Sequence, residues 1–178
     1  GLSERQLFEM EYRGVQHAKW GATRGSLAGR VALITGAAGA IGAGIAQGLL
    51  EQDCHVVVTD LPGERLDSLG ADLSRTFPGR VRAVPMDVTD EESVAAAFRR
   101  VASGWGGVDL VIINAGIAHV SPLMSMDVEV FRRLERVNIE GTLLVLAESG
   151  RHFEWQGTGG DIVLVSTNIL QTLRKEFR

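Results

Sequence analysis

Arg30-Val31-Ala32-Leu33-Ile34-Thr35-Gly36-Ala37-Ala38-Gly39-Ala40-Ile41-Gly42-Ala43-Gly44 is an apolar run that breaks into small residues and then resumes as a helix. Val31 to Ile34 are aliphatic or β-branched and too few for a helix, so they read as a strand buried on both faces. Gly36 lets the chain turn sharply. The small residues after it leave nothing projecting over the start of a helix from Ile41 to Leu50, so the free N–H groups and positive dipole end of that helix can meet a pyrophosphate. Strand, tight turn and helix in this order outline a dinucleotide-binding turn.

The glycines are Gly36, Gly39, Gly42 and Gly44, not the usual G-x-G-x-x-G. A Gly/Ala-rich junction can also serve only to let helix and strand pack closely. What favours a nucleotide is the acid ending the next strand, His55-Val56-Val57-Val58-Thr59-Asp60, roughly 20 residues on, where ribose hydroxyls are read. A carboxylate there accepts hydrogen bonds from both hydroxyls and repels a 2′-phosphate, which points to NAD as the cofactor. The alternative for Asp60 is a solvated residue capping a turn.

The 178 residues fit one domain, and 45% hydrophobic with 22% charged residues are ordinary globular values. A net charge of -4 leaves no electrostatic footprint for nucleic acid or an anionic membrane, so neither is expected as a partner. The single cysteine, Cys54, cannot close an internal disulfide and reads as a small buried thiol in a reducing compartment. With no signal peptide and no long apolar segment, a cytoplasmic protein is expected. The four histidines are scattered, which argues against a metal site.

Residues 1–29 read as an N-terminal arm or linker. Ser3-Glu4-Arg5-Gln6 has capping-box spacing ahead of Leu7, Phe8, Met10 and Tyr12, and Trp20 is the one large anchor in the loose stretch that follows. From Arg30 on, strands are expected at Val31 to Ile34, Cys54 to Thr59, Val81 to Pro85, Val108 to Ile113 and Asp161 to Val165. Helices are expected at Glu64 to Thr76, after a capping box at Thr89-Asp90-Glu91-Glu92, and as one long element from Val128 to about Gly150. Apolar strands alternating with helices mean right-handed βαβ units in a doubly wound parallel α/β sheet, covered on both faces. Ligands bind at the carboxyl ends of such strands. Asp60, Asp87, Asn114, Ser166 and Thr167 are all placed there.

Thr35-Gly36-Ala37-Ala38-Gly39-Ala40-Ile41-Gly42 resembles the T-G-x-x-x-G-x-G turn of the short-chain dehydrogenases/reductases, with Ala40 in place of the second glycine. The resemblance runs from Arg30 to about Thr167 and implies a Rossmann fold over residues 30–178, incomplete at its C-terminal side. It implies cofactor contacts at Gly36, Gly39, Ala40, Ile41 and Gly42, at Asp60 with Leu61, at Asp87 and Val88, and at Asn114, Ala115 and Gly116. Asn138, in Val137-Asn138-Ile139-Glu140-Gly141, falls on the family's helix asparagine, and Thr167, with Ser166 before it, on the family's serine. These three are the implied catalytic positions. In NADP-preferring relatives a basic residue stands where this chain has Gly39. The arm together with Gly159 to Thr167 further resembles the dehydrogenase half of bifunctional rhamnulose-1-phosphate aldolase/alcohol dehydrogenases, which implies a small hydroxy or aldehyde substrate such as lactaldehyde.

Hydride transfer in that family depends on a Tyr-x-x-x-Lys pair, in which the lysine charge lowers the tyrosine pKa. Here the one tyrosine is Tyr12, with Gln16 four residues on, and the only lysines are Lys19 and Lys175. Asn168 to Arg178 reads as a short basic amphipathic tail, so the chain is expected to stop where the catalytic helix and the last strands would begin. A sheet ended there exposes an edge and a face, which predicts self-association as a homo-oligomer. His119 and Ser121 could line a substrate pocket or stand solvated in a loop. Two functions follow: an NAD-dependent oxidoreductase acting on a small alcohol or hydroxyaldehyde, or an NAD-binding fragment or sensor that moves no hydride.

Overall fold

The computed structural model describes residues 27–166. The expectations that fall on Ser3 to Trp20, on Thr167 and on the tail from Asn168 lie outside the described residues. So do Tyr12, Lys19 and Lys175.

Five strands, β1 (Val31–Ile34), β2 (His55–Asp60), β3 (Val81–Pro85), β4 (Leu110–Ile113) and β5 (Asp161–Leu164), form one sheet in the order β3-β2-β1-β4-β5. Every pairing is parallel, with Leu33 opposite Val57 on one side and Val111 on the other. The connections are α1 (Ala40–Glu51), α2 (Glu64–Thr76), α3 (Glu91–Trp105), and α4 (Val128–Glu135) continuing into α5 (Gly141–Gln156). From β1 at the centre of the sheet, the described chain builds outward to β3 and returns past β1 to lay down β4 and β5. The reversal leaves a crevice between β1 and β4 at their carboxyl ends, where open α/β sheets bind ligands.

Period-two alternation divides the core. Val31, Leu33, Val57, Val111 and Ile113 face Phe98, Val101 and Val145 of α3 and α5. Ile34, Val56, Val58 and Ile112 face Ala46 and Leu50 of α1 and Leu66 and Leu73 of α2. All four residues of β1 are fully buried, as a strand with a helix layer on each side must be. Each such Val, Leu or Ile contributes about 1.5–3 kcal/mol of burial free energy, so the centre of the sheet is its most stable part. Leu27 and Gly29 are already tied to this unit: the Leu27 carbonyl accepts from Arg30 N, and Gly29 N donates to Asp53 O. Cys54 is buried and its thiol donates to Leu27 O at 3.1 Å. Burial, helped by the Asp109 carboxylate, pushes that thiol above its ordinary pKa.

Three expectations need correction. The long helix is not uniform: a π turn over Arg136–Glu140 separates α4 from α5, and the element runs on to a left-handed Gly157 instead of ending at Gly150. The capping residue of α3 is Asp90, whose carboxylate accepts from Glu92 N at 3.0 Å; Thr89 is drawn away by Asp87, which takes both its N–H and its hydroxyl. Strand ends move by a residue or two, β2 reaching Asp60 and β4 starting at Leu110. At β5 the sheet has the exposed edge and face that were expected there. β5 is an end strand, and Ile162, Val163 and Leu164 are 38%, 48% and 53% exposed.

Candidate nucleotide-binding site

A cavity of about 530 Å³ opens at the carboxyl ends of β1, β2 and β4. Its floor is the turn after β1. Gly36 sits at φ +62°, and a Cβ there would come within 2.7 Å of the Ala115 Cα, so the turn closes against the end of β4 only with glycine. Gly42 is needed for another reason: its Cβ would meet Gly36 O at 2.5 Å and Ala37 Cα at 2.7 Å. Gly39 and Gly44 are under no such pressure. Ala40 opens α1. Gly39, the N-cap, makes no side-chain cap, so the leading N–H groups of α1 are left for an outside acceptor, with the helix dipole behind them. Gly36, Gly39, Ala40 and Ile41 line the cavity, while Gly42 packs beneath the turn.

Asp60 and Leu61 form the rim at the end of β2. The Asp60 carboxylate accepts from Ala38 N at 2.9 Å through Oδ2 and from Leu61 N at 2.8 Å through Oδ1. Each oxygen keeps a lone pair for a further donor, as a pair of ribose hydroxyls requires. Along the next wall, Asp87 Oδ1 accepts from Thr89 N and Oγ1, and Asp87 N donates to Ser93 Oγ at 2.9 Å. This folds Met86 to Thr89 into a compact turn that presents Asp87 and Val88 to the cavity. Gly141 holds that wall in place, since a Cβ there would lie 2.8 Å from Val88 Cγ2.

The opposite wall is Asn114, Ala115 and Gly116. Thr35, fully buried at the end of β1, accepts from Asn114 N at 3.0 Å and Ala115 N at 2.9 Å through its hydroxyl. The Asn114 amide group returns two bonds, to Thr35 O at 3.1 Å and Gly36 O at 3.0 Å. Two strands that never meet in sequence are thus clamped at their tips, which fixes the width of the crevice. Asn114 acts here as a positioning residue, its NH₂ group spent on the turn.

Asn138 lies in the π turn. Its Oδ1 accepts from Ile117 N and its Nδ2 donates to Ile117 O, both at 2.9 Å, while Thr142 Oγ1 donates to Asn138 O at 2.8 Å. Its side chain stitches the loop after β4 to the helix and does not line the cavity. Ser166 is exposed just past β5, also outside the cavity, and Thr167 lies outside the described residues. His119 is exposed, and the Ser121 hydroxyl contacts Met126 Sδ at 3.5 Å. Among the described residues no three His, Cys, Asp or Glu gather as metal ligands, and no helix is long and apolar enough to cross a membrane.

Sequence reasoning missed Arg65, Met86, Thr89, Ile117, Arg133 and Val137, all of which line the cavity. Met86 and Thr89 flank a motif that was read, so neighbourhood alone could have flagged them. Arg65 and Arg133 carry no local signal; both stand on helices whose approach to the cavity is a matter of packing.

A family model described as short chain dehydrogenase matches residues 30–174. The chain is 40% identical over 143 residues to cis-4-hydroxycyclohexanecarboxylate dehydrogenase of Sinomonas cyclohexanicum, covering 80% of this chain and 56% of that protein. It is 33% identical over 169 residues to the uncharacterized oxidoreductase YuxG of Bacillus subtilis (strain 168), covering 93% of this chain and 24% of that one. Among solved structures, L-sorbose reductase from Gluconobacter frateurii, complexed with NADPH and L-sorbose, superposes with a TM-score of 0.69 at 27% identity, over 78% of this chain and 52% of that one. The chain thus spans about half the length of the dehydrogenase it matches and a quarter of YuxG.

Proposed function

Because the chain belongs to the short-chain dehydrogenase family, a family of oxidoreductases, we propose that its cavity binds NAD and that the whole protein moves hydride between NAD and a small alcohol or hydroxyaldehyde. The observation that carries this is the convergence of uncapped N–H groups at the start of α1 with the Asp60 carboxylate on one rim. The fit is physical. A diphosphate would find unpaired donors and a helix dipole, ribose hydroxyls would find carboxylate lone pairs, and Val88 and Ile117 offer apolar walls for a base. When bound, the nicotinamide supplies the hydride acceptor. The chain's own residues bind and orient: the Thr35–Asn114 clamp sets the width of the crevice, and Asn138 ties down the loop leading from it.

A second reading, NAD binding without hydride transfer, is favoured by one sequence fact. The single tyrosine, Tyr12, precedes β1 and has no lysine four residues on. Membership of a bifunctional aldolase/dehydrogenase protein is also proposed, from the resemblance carried by the arm and Gly159 to Thr167; the match to YuxG spans 169 residues, more than Arg30 to Arg178, and so includes part of the arm. Self-association is proposed from the apolar stripe Ile139, Leu143 and Leu146 and from the exposed β5.

Fluorescence titration with NADH tests binding: saturation is expected, and Asp60→Ala should weaken it by at least about tenfold, since hydrogen bonds to a charged group are lost. Absence of saturation, or indifference to Asp60→Ala, refutes the nucleotide reading. Reduction of NAD with short hydroxyaldehydes then separates the enzyme from the binding module.

A further inference from the structure

Two arginines line the cavity, and they stand there on different terms. Arg65, at the start of α2, is anchored: its Nη2 donates to Ala38 O at 2.9 Å, on the residue whose N–H the Asp60 carboxylate holds. Arg133, on α4, is exposed and makes no hydrogen bond or ion pair with any described residue. Its neighbour Arg132, by contrast, is paired with Glu129 at 2.6 Å. What aims Arg133 at the cavity is the π turn. Arg133, Val137, Gly141 and Val145 recur every four residues. In an uninterrupted α-helix each such step overshoots a full turn by about 40°, so Val145 would lie about 120° round from Arg133. The turn over Arg136–Glu140 takes up one extra residue, about 100°, and brings the four back onto one stripe. Burial rises along that stripe, from exposed Arg133 through half-buried Val137 to buried Gly141 and Val145. Its contacts are the apolar walls of the cavity: Gly141 lies against Val88, and Asn138 within the turn is bonded to Ile117. The uncapped N–H groups suited to a diphosphate lie elsewhere, at the start of α1.

We propose that Arg133 is a further nucleotide-contacting residue: its guanidinium stacks on the base that rests against Val88 and Ile117 and closes the cavity over it. This rests on the nucleotide reading above and deepens it. A guanidinium is planar and weakly hydrated, so it lies flat on a π face as an aromatic ring does, whereas a lysine ammonium is a compact, strongly hydrated point charge. The two modes of binding an arginine can offer here therefore separate cleanly. Stacking on the base needs a plane and survives loss of the charge; pairing with a phosphate needs the charge and survives loss of the plane.

The test is a set of NADH fluorescence titrations on the wild type, Arg133→Ala, Arg133→Lys and Arg133→Tyr, with adenosine and inorganic pyrophosphate as separate competitors and thermal melts of the free proteins. Arg133→Ala is expected to weaken NADH binding by about threefold to thirtyfold and adenosine by a similar factor, leaving pyrophosphate unchanged. Arg133→Tyr should recover most of the loss and Arg133→Lys little of it. All four free proteins should melt together, since the side chain bonds to no described residue. NADH affinity indifferent to Arg133→Ala overturns the proposal, as does a tyrosine variant that recovers none of the loss. Weakened competition by pyrophosphate, or recovery by lysine alone, assigns the charge to a phosphate and overturns it as well. Should either competitor fail to displace NADH within its solubility, the tyrosine and lysine variants decide on NADH alone. A lowered melting temperature of free Arg133→Ala assigns a structural role and also overturns it. Failure of the wild type to bind NADH is a different outcome, because it removes the underlying nucleotide reading.

Discussion

Replacing Thr35 by valine tests the clamp on which the crevice depends. Thr35 is fully buried, and its hydroxyl oxygen takes two N–H groups, those of Asn114 and Ala115. Thr35→Val keeps the shape and deletes the acceptor. A buried donor left unsatisfied costs about 1–3 kcal/mol. Both groups here are only partly buried, so the low end applies to each, giving about 2–3 kcal/mol in all. Thr35→Ser instead keeps the hydroxyl and removes one methyl, for about 1 kcal/mol. With about 2–4 °C of melting temperature per kcal/mol in a domain of this size, the valine variant should melt about 4–12 °C lower and the serine variant about 2–4 °C lower. Circular dichroism melts and urea titrations of the three proteins measure this, and an NADH titration should show weaker binding in the valine variant. The ordering matters more than either number. Were Thr35 simply a core residue, serine would be the worse substitution; a valine variant as stable as the serine variant refutes the clamp.

Two further expectations concern packing and assembly. Gly42→Ala places a methyl against Gly36 O and Ala37 Cα, and should cost about 1–3 kcal/mol in denaturant titration together with nucleotide binding. Gly44→Ala, two residues on with open space around it, should be neutral or stabilising by about 0.5–1 kcal/mol; equal effects at the two positions would contradict the close approach under the turn. The exposed apolar residues of the π turn, α5 and β5 should drive association, read as a mass above that of one chain by light scattering; a monodisperse monomer would count against it.

Much of the fold is legible because its strongest signals are local. Val31 to Ile34 is apolar at every position, so it reads as a doubly covered strand, and all four residues are buried. Glu64–Thr76 coincides with its expected bounds because the pairs Pro62-Gly63 and Pro78-Gly79 punctuate the chain on either side, and the second of them also precedes Val81–Pro85. The π turn was not legible. Val128 to Gly150 has helical periodicity throughout, and the widened turn answers to two bonds between Asn138 and Ile117, a residue on a distant loop. The displaced cap at Asp90 is similar: Thr89 fits the capping pattern, but its N–H and hydroxyl both donate to Asp87, and Asp90 accepts from Glu92 N in its place.

The candidate site divides the same way. The residue pattern marked the glycine turn, Asp60, Asp87 and Asn114, because a tight turn and a polar residue ending an apolar strand each show in consecutive residues, while Val88, Ala115 and Gly116 were implied by the family resemblance. Only the tertiary structure decided which glycines are indispensable, that Asn114 spends its amide on the tip of β1, and that Arg65 shares Ala38 with Asp60. Those facts are distances between segments far apart in the chain. Backbone preference and hydrophobic period act over a few neighbours, whereas a close approach exists only once the sheet has brought β1, β2 and β4 side by side.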